Sequence, residues 1–191
     1  MHVMPCVQEL FVNYANIKYC DIANGVGVRT TLFVSGCRLH CPNCFNSEAW
    51  DFHSGKPFTT AVEDEILQSL APAHIDGLSV LGGEPMEPEN QTGLVDFLER
   101  VRATYPEKNI WMYSGHTWEQ LTKGAWHLDD TDRILTTLDV LVDGPFVQDD
   151  YDISLRFRGS SNQRIIDVPA SLAAGEVVPW KDKPIFSTHT M

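Results

Sequence analysis

Val28-Arg29-Thr30-Thr31-Leu32-Phe33-Val34-Ser35-Gly36-Cys37-Arg38-Leu39-His40-Cys41-Pro42-Asn43-Cys44 is the stretch that decides how this chain is read. Its first half, Val28 to Ser35, is apolar and β-branched and predicts a strand. Its second half carries Cys37, Cys41 and Cys44 in the spacing Cys-x3-Cys-x2-Cys. Three thiolates so close together can hold a metal centre. A cubane iron–sulfur cluster has four irons and is held by closely spaced cysteines. Three protein ligands therefore leave one iron open for chemistry. The spacing also admits a structural zinc site, which normally takes four protein ligands in a tetrahedron; His40 or His53 could complete it. Buried thiols with no metal are the third reading. Cys6 and Cys20 stand apart and read as small, reduced, semi-buried side chains without a role.

Downstream, the long segment from Gly36 to Phe58 reads as a loop, and long ordered loops in compact domains are usually functional. Thr60-Ala61-Val62-Glu63 has capping-box spacing. Val62, Ile66, Leu67 and Leu70 then fall on one helical face, and Pro72 ends the helix. Gly77 to Leu81 reads as a buried strand running into Gly82-Gly83-Glu84-Pro85. Leu94, Phe97, Leu98 and Val101 mark a helix over Glu89–Thr104, with Pro106 beyond its end. Asn109–Tyr113 and Leu138–Val142 read as strands. Thr117–Gln120 again has capping-box spacing, before a short helix. Arg164–Val168 reads as a last strand. The alternation of strands and helices predicts parallel βαβ units, whose post-strand loops gather at one edge where sites are built. The cysteine loop and the Gly-Gly-Glu-Pro loop are therefore expected to converge.

Composition bounds the alternatives. The 191 residues suit one domain, with 176–191 as an irregular C-terminal tail, and a hydrophobic fraction of 43% is enough for a core. Five cysteines, an odd number, argue against a disulfide framework. The N-terminus has no secretory pattern, and no run approaches the ~18 apolar residues of a membrane span. The expected location is a reducing cytoplasm. A net charge of −12 disfavours nucleic acid as a partner. Acid concentrates between Asp129 and Asp152, against the single base Arg133, and reads as a solvated face. Arg156, Arg158 and Arg164 form a short basic stretch that is either solvated, docks an acidic partner or contacts a cofactor. Gly25-Val26-Gly27 is not read as a dinucleotide site, because no strand clearly precedes it and Thr30 replaces the third glycine.

Paired glycines after a buried strand let a backbone approach a ligand closely, and Glu84 can accept hydrogen bonds from an ammonium group. With the cysteines, the Gly-Gly-Glu stretch resembles the radical S-adenosylmethionine (SAM) superfamily. The resemblance narrows to the glycyl-radical activating proteins of anaerobic ribonucleoside-triphosphate reductases. It runs through Asp21–Cys37, Cys41–Asn46, Ser54–Thr59, Ile110–Gly115, Val140–Phe146 and Arg158–Arg164. An aromatic residue often precedes the third cysteine in the superfamily; here Asn43 stands there, and Phe45 follows Cys44.

The resemblance implies an α/β fold of the incomplete TIM-like barrel type with mostly parallel strands, too few for a full barrel. It implies one 4Fe-4S cluster on Cys37, Cys41 and Cys44. It further implies SAM against Asn43, Cys44, Phe45, Gly82, Gly83 and Glu84, with no acid–base residue. The implied partners are the reductase, as a glycine-bearing protein substrate, and a flavodoxin-like electron donor. An activator of another glycyl-radical enzyme, a small-molecule radical SAM enzyme such as a deazaguanine synthase, and a zinc-stabilised binding module are the alternatives.

Overall fold

The apolar runs form strands and the amphipathic stretches form helices. The computed structural model describes residues 12–182; Cys6, the N-terminal leader reading and the tail from 183 to 191 fall outside the described residues. The elements are β1 (Asn13–Asp21), β2 (Arg29–Val34), β3 (Lys56–Pro57), α1 (Thr60–Leu70), β4 (Gly77–Gly82), α2 (Pro88–Thr104), β5 (Asn109–Tyr113), α3 (Trp118–Lys123), α4 (Asp129–Thr137), β6 (Val140–Asp143), β7 (Arg164–Asp167) and α5 (Val168–Ala174). The expected loop from Gly36 to Phe58 also contains a 3-10 turn, Ser47–Trp50, besides β3.

The seven strands form one sheet in the order β3-β1-β2-β4-β5-β6-β7. Among the described residues this sheet is open, with β3 and β7 at its edges, so the architecture shown is a mixed α/β sheet and not a closed barrel. β2 pairs with β4, β4 with β5 and β5 with β6, all in parallel. The expectation of mostly parallel strands holds for this centre and fails at both sides. β1 runs antiparallel to both β2 and β3, and β7 runs antiparallel to β6. Antiparallel neighbours need no crossover helix, so neither side left the strand–helix alternation that the sequence pattern detects. β1 also precedes Gly25, contrary to the sequence reading. It leads straight into its antiparallel neighbour β2 and not into a helix, so the βαβ context of a dinucleotide site is missing.

Alternation along each strand assigns the two faces. Leu32, Val34, Leu78, Val80, Ile110, Met112 and Leu141 pack with the helices in the main core, which also holds Leu94, Phe97, Leu98 and Val101 of α2. Full burial of each such side chain stabilises the fold by about 1.5–3 kcal/mol. Trp111, Val140 and Val142 point to the other face, where Val26, Phe157, Ile165 and Trp180 pack over them. That face is covered by loops, which leaves room for a site.

Caps followed the sequence unevenly. Thr117 caps α3 with a formed capping box. At α1 the cap residue is Thr59, one place earlier than the expected box, and no side-chain cap bond forms. α4 and α5 were not anticipated. Residues 176–182 hold no helix, yet Asp167 N–H donates to Val178 O at 2.9 Å and Trp180 N–H to Ile165 O at 2.9 Å, which ties them to β7.

One side chain and one glycine lock the strand ends to the loops. Arg29 is fully buried and spends its donors on Ser79 Oγ, Val26 O, Leu78 O, Asn109 O and Asn109 Oδ1. Burial pushes its pKa down to about 10. Gly82 ends β4 at φ +120, and a Cβ there would lie 2.5 Å from Val34 O and 2.6 Å from Val34 N. Gly82→Ala is therefore expected to lower the unfolding free energy by about 2–4 kcal/mol, combining left-handed strain with a clash against fixed backbone. Urea denaturation checks this; an unchanged midpoint would contradict it.

Candidate functional site

Gly36 is the point where the cysteine loop is fixed. Its N–H donates to Ala49 O at 2.8 Å, and its carbonyl accepts from Glu84 N–H at 2.8 Å. Gly83 sits so close that a Cβ would fall 2.4 Å from Gly36 O. Asn90 Nδ2, on α2, donates to Ser35 O at 3.0 Å and Glu84 O at 2.8 Å. The expected convergence of the cysteine loop and the Gly-Gly-Glu-Pro loop is thus realised as direct backbone contact.

The loop is gripped a second time just past Cys37. Glu87 is fully buried, and its two oxygens accept from Arg38 N–H at 2.7 Å and Arg38 Nη1 at 2.6 Å. Arg38 also pairs with Glu89 and lies over Phe52, 4.3 Å from the ring centre. The arginine removes the cost of a buried carboxylate, which would be severe if unpaired. Beyond it, His40 (φ 47) and Asn43 (φ 58) adopt left-handed backbone and turn the chain between the cysteines. His40 stacks on Trp50 with ring centres 4.5 Å apart.

Cys37, Cys41 and Cys44 are all free thiols; Cys37 is buried and the other two half-buried. The neighbouring backbone amides of Leu39 and His40 favour the Cys37 thiolate, and that of Phe146 the Cys41 thiolate, but burial outweighs them. Burial pushes the Cys37 thiol up to about 11 and raises Cys41 as well. Ionising them calls for a positive metal centre, which deprotonates a coordinating thiol outright. Among the described residues, no three Cys, His, Asp or Glu side chains converge on a point suited to a single ion. A cubane presents separate irons to separate sulfurs, so its ligands need not converge. The donor set, three free thiols from one loop, fits a cluster whose irons each take one sulfur.

A cavity of 680 Å³ opens beside this loop at the C-terminal ends of β4 and β5. Cys41, Asn43, Cys44 and Phe45 line it on one side, Leu81 and Tyr113 at the strand ends, and Phe146, Gln148, Tyr151, Phe157, Arg158, Gly159 and Gln163 opposite. Ala23 and Asn24 complete the lining. Asn43 Nδ2 reaches across to Gln148 Oε1 at 3.0 Å. Phe45 is 89% exposed.

Four of the sequence-derived residues, Cys37, Gly82, Gly83 and Glu84, do not line the cavity. Glu84 is the instructive one. Its side chain is turned inward, with Oε1 accepting from Met86 N–H at 2.9 Å and Oε2 from Gly115 N–H at 2.6 Å. Burial raises its pKa to about 7. In this structure the carboxylate ties the loop after β4 to the loop after β5. Of the basic stretch, Arg158 lines the cavity, whereas Arg156 pairs with Asp182 and Arg164 with Glu119 and Asp143. Of the wall from Phe146 to Gln163 only Arg158 was singled out, as part of the basic stretch; Phe146, Gln148, Tyr151 and Phe157 were missed. The wall's usable signal was position, since it follows the C-terminal end of β6 as the two motifs follow β2 and β4.

Comparison with known proteins agrees with this geometry. A family model described as a 4Fe-4S single cluster domain matches residues 23–166. An anaerobic ribonucleoside-triphosphate reductase-activating protein of Escherichia coli (strain K12) is 43% identical over 154 residues, covering 80% of this chain and 96% of its own length. The chain belongs to the anaerobic ribonucleoside-triphosphate reductase-activating protein family. Activating proteins of the same name from Pasteurella multocida (strain Pm70) and Enterobacteria phage T4 are 43% and 33% identical, each over 81% of this chain and over 96% and 93% of their own lengths.

In this activating-protein chain, the grip of Glu87 on Arg38 predicts a loss when it is weakened. Glu87→Gln keeps the shape and removes the charge. It is expected to lower stability by about 1–3 kcal/mol, the range for a hydrogen bond to a charged group and its desolvated partner, and to speed iron loss to a chelator. Wild-type denaturation and iron-release curves would contradict this.

Proposed function

We propose that this chain is an oxidoreductase-type activase that generates a glycyl radical on an anaerobic ribonucleoside-triphosphate reductase, using a 4Fe-4S cluster and SAM. The observation that carries the proposal is a loop of three free thiols bordering an open 680 Å³ cavity at the C-terminal edge of a parallel sheet core. Held by Cys37, Cys41 and Cys44, the cluster would supply the one-electron reduction by which SAM is cleaved, the chemistry needed to take a hydrogen atom from a reductase glycine. A flavodoxin-like protein is the proposed electron source. The proposed architecture is a partial barrel of the radical SAM type within a single domain.

The chain's own residues hold and shield. Cys37, Cys41 and Cys44 would hold the cluster, and the nearby amides of Leu39, His40 and Phe146 favour the thiolate form of two of them. Asn43, Cys44 and Phe45 contact SAM from the loop side. SAM also lies against the Gly82-Gly83-Glu84 loop in this proposal, and that loop holds Gly36 and hence the first ligand in place. No proton transfer is assigned to any side chain, because a hydrogen atom moves.

Two features support a polypeptide substrate. Phe45 and Tyr151 stand exposed where they line the cavity, giving apolar footing at its mouth. Among the described residues the sheet is open and not walled by further strands. No helix among the described residues is long and apolar enough to cross a membrane.

Cys41→Ala removes one cluster ligand. It is expected to abolish 5′-deoxyadenosine formation from SAM under strong reductant, and with it the glycyl signal of added reductase in electron paramagnetic resonance. Full SAM cleavage by that variant would refute the assignment.

A further inference from the structure

The proposed chemistry leaves Tyr113 without a role. It closes β5, two residues on from Trp111 and so on the loop-covered face of the sheet, where its ring packs against the Trp111, Val140 and Val142 cluster. It lines the cavity next to Leu81. Its hydroxyl oxygen is buried and has no hydrogen-bond partner.

Apart from the solvent-exposed Tyr151, the other hydrogen-bonding side chains of the lining, Asn24, Asn43, Gln148, Arg158 and Gln163, each have a partner. Asn24 Nδ2 donates to Asp21 Oδ2 at 2.6 Å and Asn43 Nδ2 to Gln148 Oε1 at 3.0 Å. Arg158 Nη1 donates to Gln163 O at 2.6 Å, and Gln163 Nε2 to Gly144 O at 3.0 Å. Among the described residues, Tyr113 Oη is the one buried polar side-chain atom of this lining that lacks a partner. Orphaned buried hydroxyls are costly, and native structures seldom retain one without a reason. Burial raises its pKa, so the group stays an O–H donor.

We propose that Tyr113 Oη donates a hydrogen bond to the nucleoside half of the SAM bound in this cavity; this rests on the activase reading above. The chemistry of the ligand selects that half. The sulfonium and ammonium groups accept nothing, and the anionic carboxylate would be drawn to the iron that three cysteines leave open. The ribose oxygens and adenine nitrogens are the neutral acceptors that remain. Phe146 and Phe157, which share the cavity with Tyr113, give an adenine the aromatic surroundings it favours.

Tyr113→Phe removes the single oxygen. Anaerobically reconstituted wild type and variant are compared by equilibrium dialysis with SAM, 5′-deoxyadenosine and methionine as separate probes. The expected result is binding of SAM and of 5′-deoxyadenosine weakened by roughly tenfold, with methionine unaffected. Iron content stays at the wild-type level, and the melting temperature does not fall, because an unpaired buried hydroxyl is lost. Equal SAM affinity of the two proteins overturns the inference while leaving the activase reading intact. A weakening confined to methionine also overturns it. Failure of the wild type itself to bind SAM overturns the activase reading and the inference with it.

Discussion

The carbonyl of Gly36 accepting from Glu84 N–H is the contact on which the rest depends. It is short because Gly83 has no side chain to hold the two loops apart. Through it, the residue before the first cysteine is fixed to the end of β4. Glu84 then extends the link to the loop after β5 through Gly115 N–H. Three post-strand loops are joined at their roots, so the thiols start from a rigid base while the loop beyond them keeps two left-handed turns. A metal-binding loop anchored in this way gives up less conformational freedom on taking its cluster than a loose one would.

Strand alternation does the rest of the placement. β4 and β5 send Leu78, Val80, Ile110 and Met112 into the helix-covered core. The alternate positions, Leu81 and Tyr113, face the cavity. The parallel centre makes the strand ends point the same way, so these side chains and the cysteine loop meet at one edge. The antiparallel flanks complete the opposite wall, since the long connection from β6 to β7 carries Phe146 to Gln163 across the site.

The central strands and the two motif loops were legible because buried parallel strands read as unbroken apolar runs that end in punctuating glycines. Asn109–Tyr113 was located to the residue. β1 was hidden because Asn13–Asp21 is an outer strand, half exposed and polar, without a clean alternation. α4 was hidden by its charges: Asp129, Asp130 and Asp132 looked like a solvated face, yet in the first turn they favour the helix dipole while Ile134 and Leu135 are buried. α5 begins at Val168-Pro169, where proline suits a first turn but reads in sequence as an ending. Glu84 was assigned to the right loop, but the direction its carboxylate takes, toward Met86 N–H and Gly115 N–H, is not something the residue order of a motif gives. The far wall of the cavity comes from residues a hundred positions beyond the cysteines, which no local pattern connects.

The central claim is that three sulfurs of one loop hold an iron–sulfur cluster. Metal and sulfide analysis of anaerobically purified protein tests it most directly. The expected result is a brown protein with iron and acid-labile sulfide in equal amounts and little zinc. A colourless protein carrying zinc and no sulfide would contradict it.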